Sequence, residues 1–125
     1  MSSSRPNILW ICTDQQRFDT LQCYGNPYVS TPNIDRLATR GVLFENAYCN
    51  STVCAPSRGS FLTGRYPRTV GLRKNGQNIP DREVLVTKIL HDAGYTCGLS
   101  GKLHLSTCFP KVCHGTERRI DDGYA

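Results

Sequence analysis

Three short stretches of this 125-residue chain hold side chains that could do chemistry together. In the first, Cys54-Ala55-Pro56-Ser57-Arg58, a potential nucleophile stands just ahead of a helix start. Pro56 suits the first helical position, where its missing N–H costs nothing. The spacing predicts about two turns over 57–63, ended by Gly64. A helix N-terminus offers N–H donors and a partial positive charge, which favour an anionic group held there. Arg58, one turn on from Cys54, adds a fixed cation able to fork onto an oxyanion. The pattern is a nucleophile beside an anion cradle; its plain alternative is a buried cysteine before a short helix. The second stretch is Gly101-Lys102-Leu103-His104, where Lys102 and His104 share a side if the backbone is extended. Its plain alternative is a surface lysine and a half-buried histidine. In the third, Asp14-Gln15, an acid follows an apolar run, as a metal ligand or as a cap for the next turn.

These motifs, in this order, resemble a known family. Cys-x-Pro-Ser-Arg at 54–58 with Phe61-Leu62-Thr63-Gly64 looks like the first signature of the sulfatases, in the alkaline phosphatase superfamily. Gly94-Tyr95 with Gly101-Lys102-x-His104 is similar to the second signature, although Cys97 stands where Ser or Thr is usual and Leu103 where an aromatic is usual. Thr31-Pro32-Asn33-Ile34-Asp35-Arg36-Leu37-Ala38 resembles a scaffold phrase of the family. Asp14 matches the first of two metal-binding aspartates. Gln15 departs from the second and looks more like the branch of phosphonate monoester hydrolases.

The resemblance implies an α/β fold, a largely parallel sheet flanked by helices, alkaline phosphatase-like. Residues 1–125 would be the N-terminal part of one catalytic domain. It implies that a formylglycine-generating enzyme reads the pentapeptide and oxidises Cys54 to formylglycine, an aldehyde that hydrates to a geminal diol. It implies a divalent metal, Ca2+ first, with Mn2+, Mg2+ or Zn2+ as alternatives, held by Asp14, Gln15 and the modified Cys54. The catalytic set is then Cys54, Arg58, Lys102 and His104. One diol oxygen attacks sulfur, Arg58 and Lys102 stabilise negative charge on the transferred group, and His104 steadies the second hydroxyl or acts on the bound ester. The implied substrate is a small-molecule sulfate ester. A phosphonate or phosphate ester is the alternative, and a non-catalytic fragment or pseudoenzyme acting as a binding module is the third reading. Family members carry further metal ligands and a second His–Lys set far downstream. This chain alone is therefore expected to bind metal weakly and to turn over slowly or not at all, since a hard dication takes six or more oxygens.

The elements that must position these groups are legible in outline. Residues 7–13 form a continuous apolar run, as in a parallel strand buried on both faces. Thr31 and Pro32 open a helix with Ile34, Leu37 and Ala38 on a buried face, and Gly41 ends it. Asp35 and Arg36 read as solvated. Residues 42–44 read as a short strand. Residues 65–80 read as loop, with 75–79 as a wall of a substrate cleft and Arg65 and Arg68 as surface cations. Positions 85, 86, 89, 90 and 93 give a helix face, Gly94 its cap, and His91 an exposed place near its end. Residues 95–100 read as a second strand, which completes a helix-to-strand crossover.

Composition narrows the classes. Net charge is +5, compatible with an anionic substrate, and there is no arginine-rich arm or zinc-finger spacing, so nucleic acid is not an expected partner. No apolar run is long enough to cross a bilayer, and no signal-type core follows Met1. Seven cysteines, an odd number with no Cys-x-x-Cys pair, suggest reduced thiols and a cytoplasmic protein. Cys108, Cys113 and His114 form a loosely spaced zinc alternative. Arg118, Arg119, Asp121 and Asp122 give little signal.

Overall fold

The structure is a computed structural model that describes residues 5–107 and 122–124. The alternative zinc residues Cys108, Cys113 and His114 lie outside the described residues. The chain forms two compact units, Met1–Ala47 and Tyr48–Ala125.

The first unit contains two 3-10 turns, Phe18–Thr20 and Gln22–Tyr24, and helix α1, Pro32–Arg40. The start at Pro32 and the stop at Gly41 are where Thr31-Pro32 and Gly41 predict them. Thr31 has a different job from the expected one. Its hydroxyl accepts the Gln22 N–H at 3.0 Å and donates to Asp35 Oδ1 at 2.9 Å. Asp35 Oδ1 also accepts the Cys23 N–H at 2.9 Å. Asp35 is thus a half-buried cross-link that ties α1 to the turn before it, not a solvated acid. The Tyr24 ring meets Phe18 edge-on at 5.7 Å, and its hydroxyl donates to the Phe44 carbonyl.

The expected strand at 7–13 is not formed, nor is the one at 42–44. Leu9 and Trp10 are 84% and 70% exposed, and Ile34 and Leu37 on α1 are exposed too. A doubly buried parallel strand needs ladder partners on its edges and cover on both faces. The described residues of this unit supply neither. The sheet of the expected α/β fold is therefore absent among the described residues; one isolated parallel bridge, Cys97 to Tyr124, is all that 95–100 contributes.

The second unit is built on α2, Cys54–Thr63, with α3, Pro67–Val70, and α4, Val86–Asp92. Its core is Ala55, Leu62, Val70, Leu72, Ile79, Leu85 and Leu105, with Phe61 and Leu103 packed against it. α2 begins at Cys54, not after Pro56. The Ser57 N–H reaches the Val53 carbonyl at 3.0 Å and closes a turn that contains the proline. Pro56 is tolerated there because first-turn N–H groups have no intrahelical acceptor. Gly64 ends α2 with φ 67, a left-handed cap as expected. Gly59 lets Leu72 approach: a Cβ at 59 would lie 2.9 Å from Leu72 Cδ2.

α4 ends in a Schellman motif. Gly94 (φ 87) donates to the His91 carbonyl and Tyr95 to the Leu90 carbonyl. Leu85 is fully buried, whereas Val86 and Ile89, expected on the same buried face, are exposed. His91 is exposed in the last turn, as its position predicts. The 122–124 segment seals the other side of α4. Thr87 Oγ1 donates to the Asp122 carbonyl, and Gly123 comes so close that a Cβ there would meet Lys88 Cα and the Thr87 oxygen at 2.5 Å. Asp122, silent in the sequence, is buried.

Candidate functional site

Cys54 is the first residue of α2, half-buried, with the N-terminal N–H groups of the helix around it. Asn75 Oδ1 accepts the Ala55 N–H at 3.0 Å, so a side chain twenty positions away satisfies a donor that the helix itself leaves open. Ala55 is fully buried in the core. The candidate position Cys54 is therefore held from below by the packing of Ala55 and from the side by Asn75.

Arg58 lies one turn along the same face as Cys54 and is only 8% exposed. A guanidinium carries five N–H donors and is costly to bury unsatisfied. Its Nη1 donates to the backbone carbonyl of Lys102, across 44 positions of sequence. This bond brings the two motifs together. Lys102 itself is exposed and His104 is half-buried. Leu103 and Leu105, on either side of His104, pack into or against the same core as Ala55.

The Lys102–His104 segment is not the extended piece that the two-residue spacing assumes. Gly101 has φ 105 and His104 has φ 58. A left-handed non-glycine residue costs on the order of 1 kcal/mol and persists only where its surroundings over-determine it. Here they do. The Leu105 carbonyl accepts the Ile79 N–H at 2.8 Å, and the Thr107 N–H donates to Asn78 Oδ1 at 2.8 Å. Residues 75–79, expected as a cleft wall, instead brace α2 through Asn75 and the histidine segment through Asn78 and Ile79.

The remaining candidates, Asp14 and Gln15, belong to the first unit. Both are exposed, and Gln15 has φ 55. Gln15 and His104 are the non-glycine residues with positive φ among those described. The described residues hold no group of three or more His, Cys, Asp or Glu side chains close enough to share a metal. One carboxylate and one amide fall short of the oxygen set of a hard dication. The described residues do not by themselves make a complete cation site.

Arg65, expected as a surface cation, donates from Nη1 to Glu83 Oε2 at 2.8 Å, and Arg82 Nε lies 3.5 Å from the other oxygen of this carboxylate. The Glu83 side chain is 1% exposed, a buried acid with no sequence signal to mark it. Arg68 is exposed on α3. It lines a cleft of about 660 Å3 together with Asn50, Ser51, Pro56, Tyr66 and Arg73, and no residue of 75–79 takes part.

Comparison with known proteins decides the family. The sulfatase family model matches residues 6–116, nearly the whole chain and all of the candidate residues. This chain belongs to the sulfatase family. The sulfatase chain is 38% identical to human steryl-sulfatase over 127 aligned residues, covering 90% of this chain and 22% of the relative. It is 44% identical to N-acetylgalactosamine-6-O-sulfatase of Bacteroides thetaiotaomicron over 109 residues, covering 83% of this chain and 21% of that one. A solved structure from Bacteroides thetaiotaomicron, described by its part in the metabolism of multiple glycosaminoglycans, superposes with a TM-score of 0.73 at 41% identity over 82% of this chain and 22% of its own. The chain thus spans about a fifth of the length of these relatives. Its neighbours have the alkaline phosphatase-like fold of the sulfatases, although the parallel sheet is not assembled among the residues described. No helix among those residues is long and apolar enough to cross a membrane. The described cysteines, Cys12, Cys23, Cys49, Cys54 and Cys97, are all free thiols.

Proposed function

We propose that this chain carries the nucleophile and anion-binding part of a sulfuric ester hydrolase, with Cys54 as the position converted to formylglycine. The observation that supports this most is the bond from buried Arg58 to the Lys102 backbone, which joins the Cys54 helix to the Lys102–His104 segment. Hydrated formylglycine supplies an oxygen nucleophile for sulfur at neutral pH. The residues of the chain do the rest. Arg58, fixed by its own burial, directs a planar cation at charge that develops on the sulfate oxygens. Lys102, exposed and joined to Arg58 through its backbone carbonyl, adds a point charge where the ester enters. His104, locked by its left-handed backbone, offers a ring nitrogen that holds or moves a proton at the bound group.

A divalent cation is the family's implied partner, and Asp14 and Gln15 are the ligands this chain would offer it. The described residues do not complete its shell. Ca2+ is the preferred identity on oxygen-ligand grounds. The substrate class is a small-molecule sulfate ester, and the protein partner is a formylglycine-generating enzyme that reads 54–58.

The test is the mass of the tryptic peptide that ends at Arg58, from protein made in a host that has the modifying enzyme. The expected result is the aldehyde mass at position 54. An intact thiol would sink the catalytic reading and favour a non-catalytic binding module. Turnover of an aryl sulfate against an aryl phosphonate by a full-length version that carries the modification then separates the sulfate reading from the phosphonate alternative that Gln15 raises. Faster hydrolysis of the sulfate is expected.

A further inference from the structure

The cleft beside α3 lies on the other flank of α2 from the reacting face. Arg58 returns to within about 40° of Cys54 around the helix, whereas Pro56 stands about 200° away and faces the cleft. Neither Cys54 nor Arg58 lines it. Its lining is chemically specific. Arg68 and Arg73 supply two guanidinium groups, and no Asp or Glu lines it. Among the described residues neither arginine forms an ion pair, while Arg65 and Arg82 of the same unit are held by Glu83. Asn50 and Ser51 add an amide and a hydroxyl, while exposed Tyr66 adds flat apolar surface; Pro56 beneath is fully buried.

These groups sit on braced backbone. Arg68 is on α3, which is closed by Gly71 with φ 88. The backbone N–H groups of Arg73 and Lys74 both donate to Gln77 Oε1, at 2.8 and 3.1 Å, and fix the turn that carries Arg73. The Asn50 amide donates to Ser60 Oγ at 2.7 Å, which sets its orientation. The cleft is wide and open, with a volume of about 660 Å3, more than a lone ion needs.

We propose that this cleft is an accessory binding site for an anionic sugar unit, one that bears a sulfate or a carboxylate on its ring. The guanidinium pair takes the anionic group, the amide and hydroxyl take ring hydroxyls, and the Tyr66 ring takes the apolar ring face. Its use in holding a neighbouring unit of an extended anionic substrate rests on the sulfatase reading; the binding itself does not.

The test is calorimetric titration of the chain with glucose 6-sulfate, glucuronate, glucose and inorganic sulfate, with no turnover required. Binding of either anionic sugar, at least tenfold tighter than glucose and inorganic sulfate, is expected; which of the two wins tells sulfate from carboxylate. The double variant R68Q/R73Q, changed only at exposed side chains, should weaken that binding at least tenfold, and Cys54→Ser should leave it unchanged. The proposal is overturned by no binding to the parent chain, by equal binding of glucose or inorganic sulfate, by loss of binding in Cys54→Ser, or by retention in R68Q/R73Q. Because Cys54→Ser cannot be converted to the aldehyde by the cysteine-reading route, its retained binding keeps this result separate from the fate of the hydrolase reading.

Discussion

The two units of this chain are opposites in how they hold their candidate residues. In Tyr48–Ala125, Cys54 is followed by fully buried Ala55, Arg58 is itself buried, and His104 is flanked by Leu103 and Leu105 of the core region. In Met1–Ala47 no described hydrophobic side chain is fully buried, and Asp14 and Gln15 follow a run whose Leu9 and Trp10 face outward. A binding or catalytic constellation keeps its geometry when packing locks the residues beneath it. The second unit meets that condition from its own sequence. In the first, the hydrogen bonds around Asp35 tie α1 to the turn before it, and no described hydrophobic side chain is fully buried beneath the candidate residues.

The contrast should be largest in the core. Leu72→Ala, under α2, is expected to destabilise the second unit by about 2–5 kcal/mol in a urea titration, as buried large-to-small changes do. Loss of less than about 1 kcal/mol would mean that the core around α2 is not packed as described. The next effect in size is Gly123→Ala. Its Cβ would meet α4 backbone at 2.5 Å, and Gly123 has φ 75, so a loss of about 1–3 kcal/mol is expected, with faster amide exchange in α4. An unchanged melting curve would detach the 122–124 segment from α4. Asn75→Ala removes the acceptor for the Ala55 N–H and should cost about 1 kcal/mol, seen as faster exchange of that amide and little change elsewhere. The smallest effect belongs to the first unit. Ile11→Ser, at a side chain 74% exposed, should shift stability by no more than about 0.5 kcal/mol. A cost near that of Leu72→Ala would show that the 7–13 run is packed in solution and would erase the contrast.

The parts that were legible and those that were not divide along the same line. The ends of α1, α2 and α4 follow from Gly41, Gly64 and Gly94, because a left-handed or broken terminus is a local event. The motif residues proposed for the site resemble those of the sulfatases, and the family match spans all of their positions. The helix start at Cys54 was misplaced, since Pro56 fits the third position as well as the first. Half-buried Asp35 and buried Glu83 were missed as anchors: their partners lie at Cys23 and Arg65, 12 and 18 positions away. No local pattern reports such pairings. The strands failed for a related reason. An apolar run states that it can be buried, but its ladder partners and its cover are other parts of a protein.

The sequence by itself determined the chemistry available here: a cysteine one helical turn from an arginine, a lysine two positions from a histidine, and the glycines that end the helices. Those are statements about neighbours in the chain, where bond geometry and capping decide the outcome. The tertiary structure decided what those groups can reach. It put the Arg58 guanidinium on the Lys102 carbonyl, turned His104 into the left-handed region, set Asn75 against the start of α2, and left the 7–13 run uncovered. Each of these depends on surfaces that meet only after the chain has folded, where burial and hydrogen-bond satisfaction outweigh local preference.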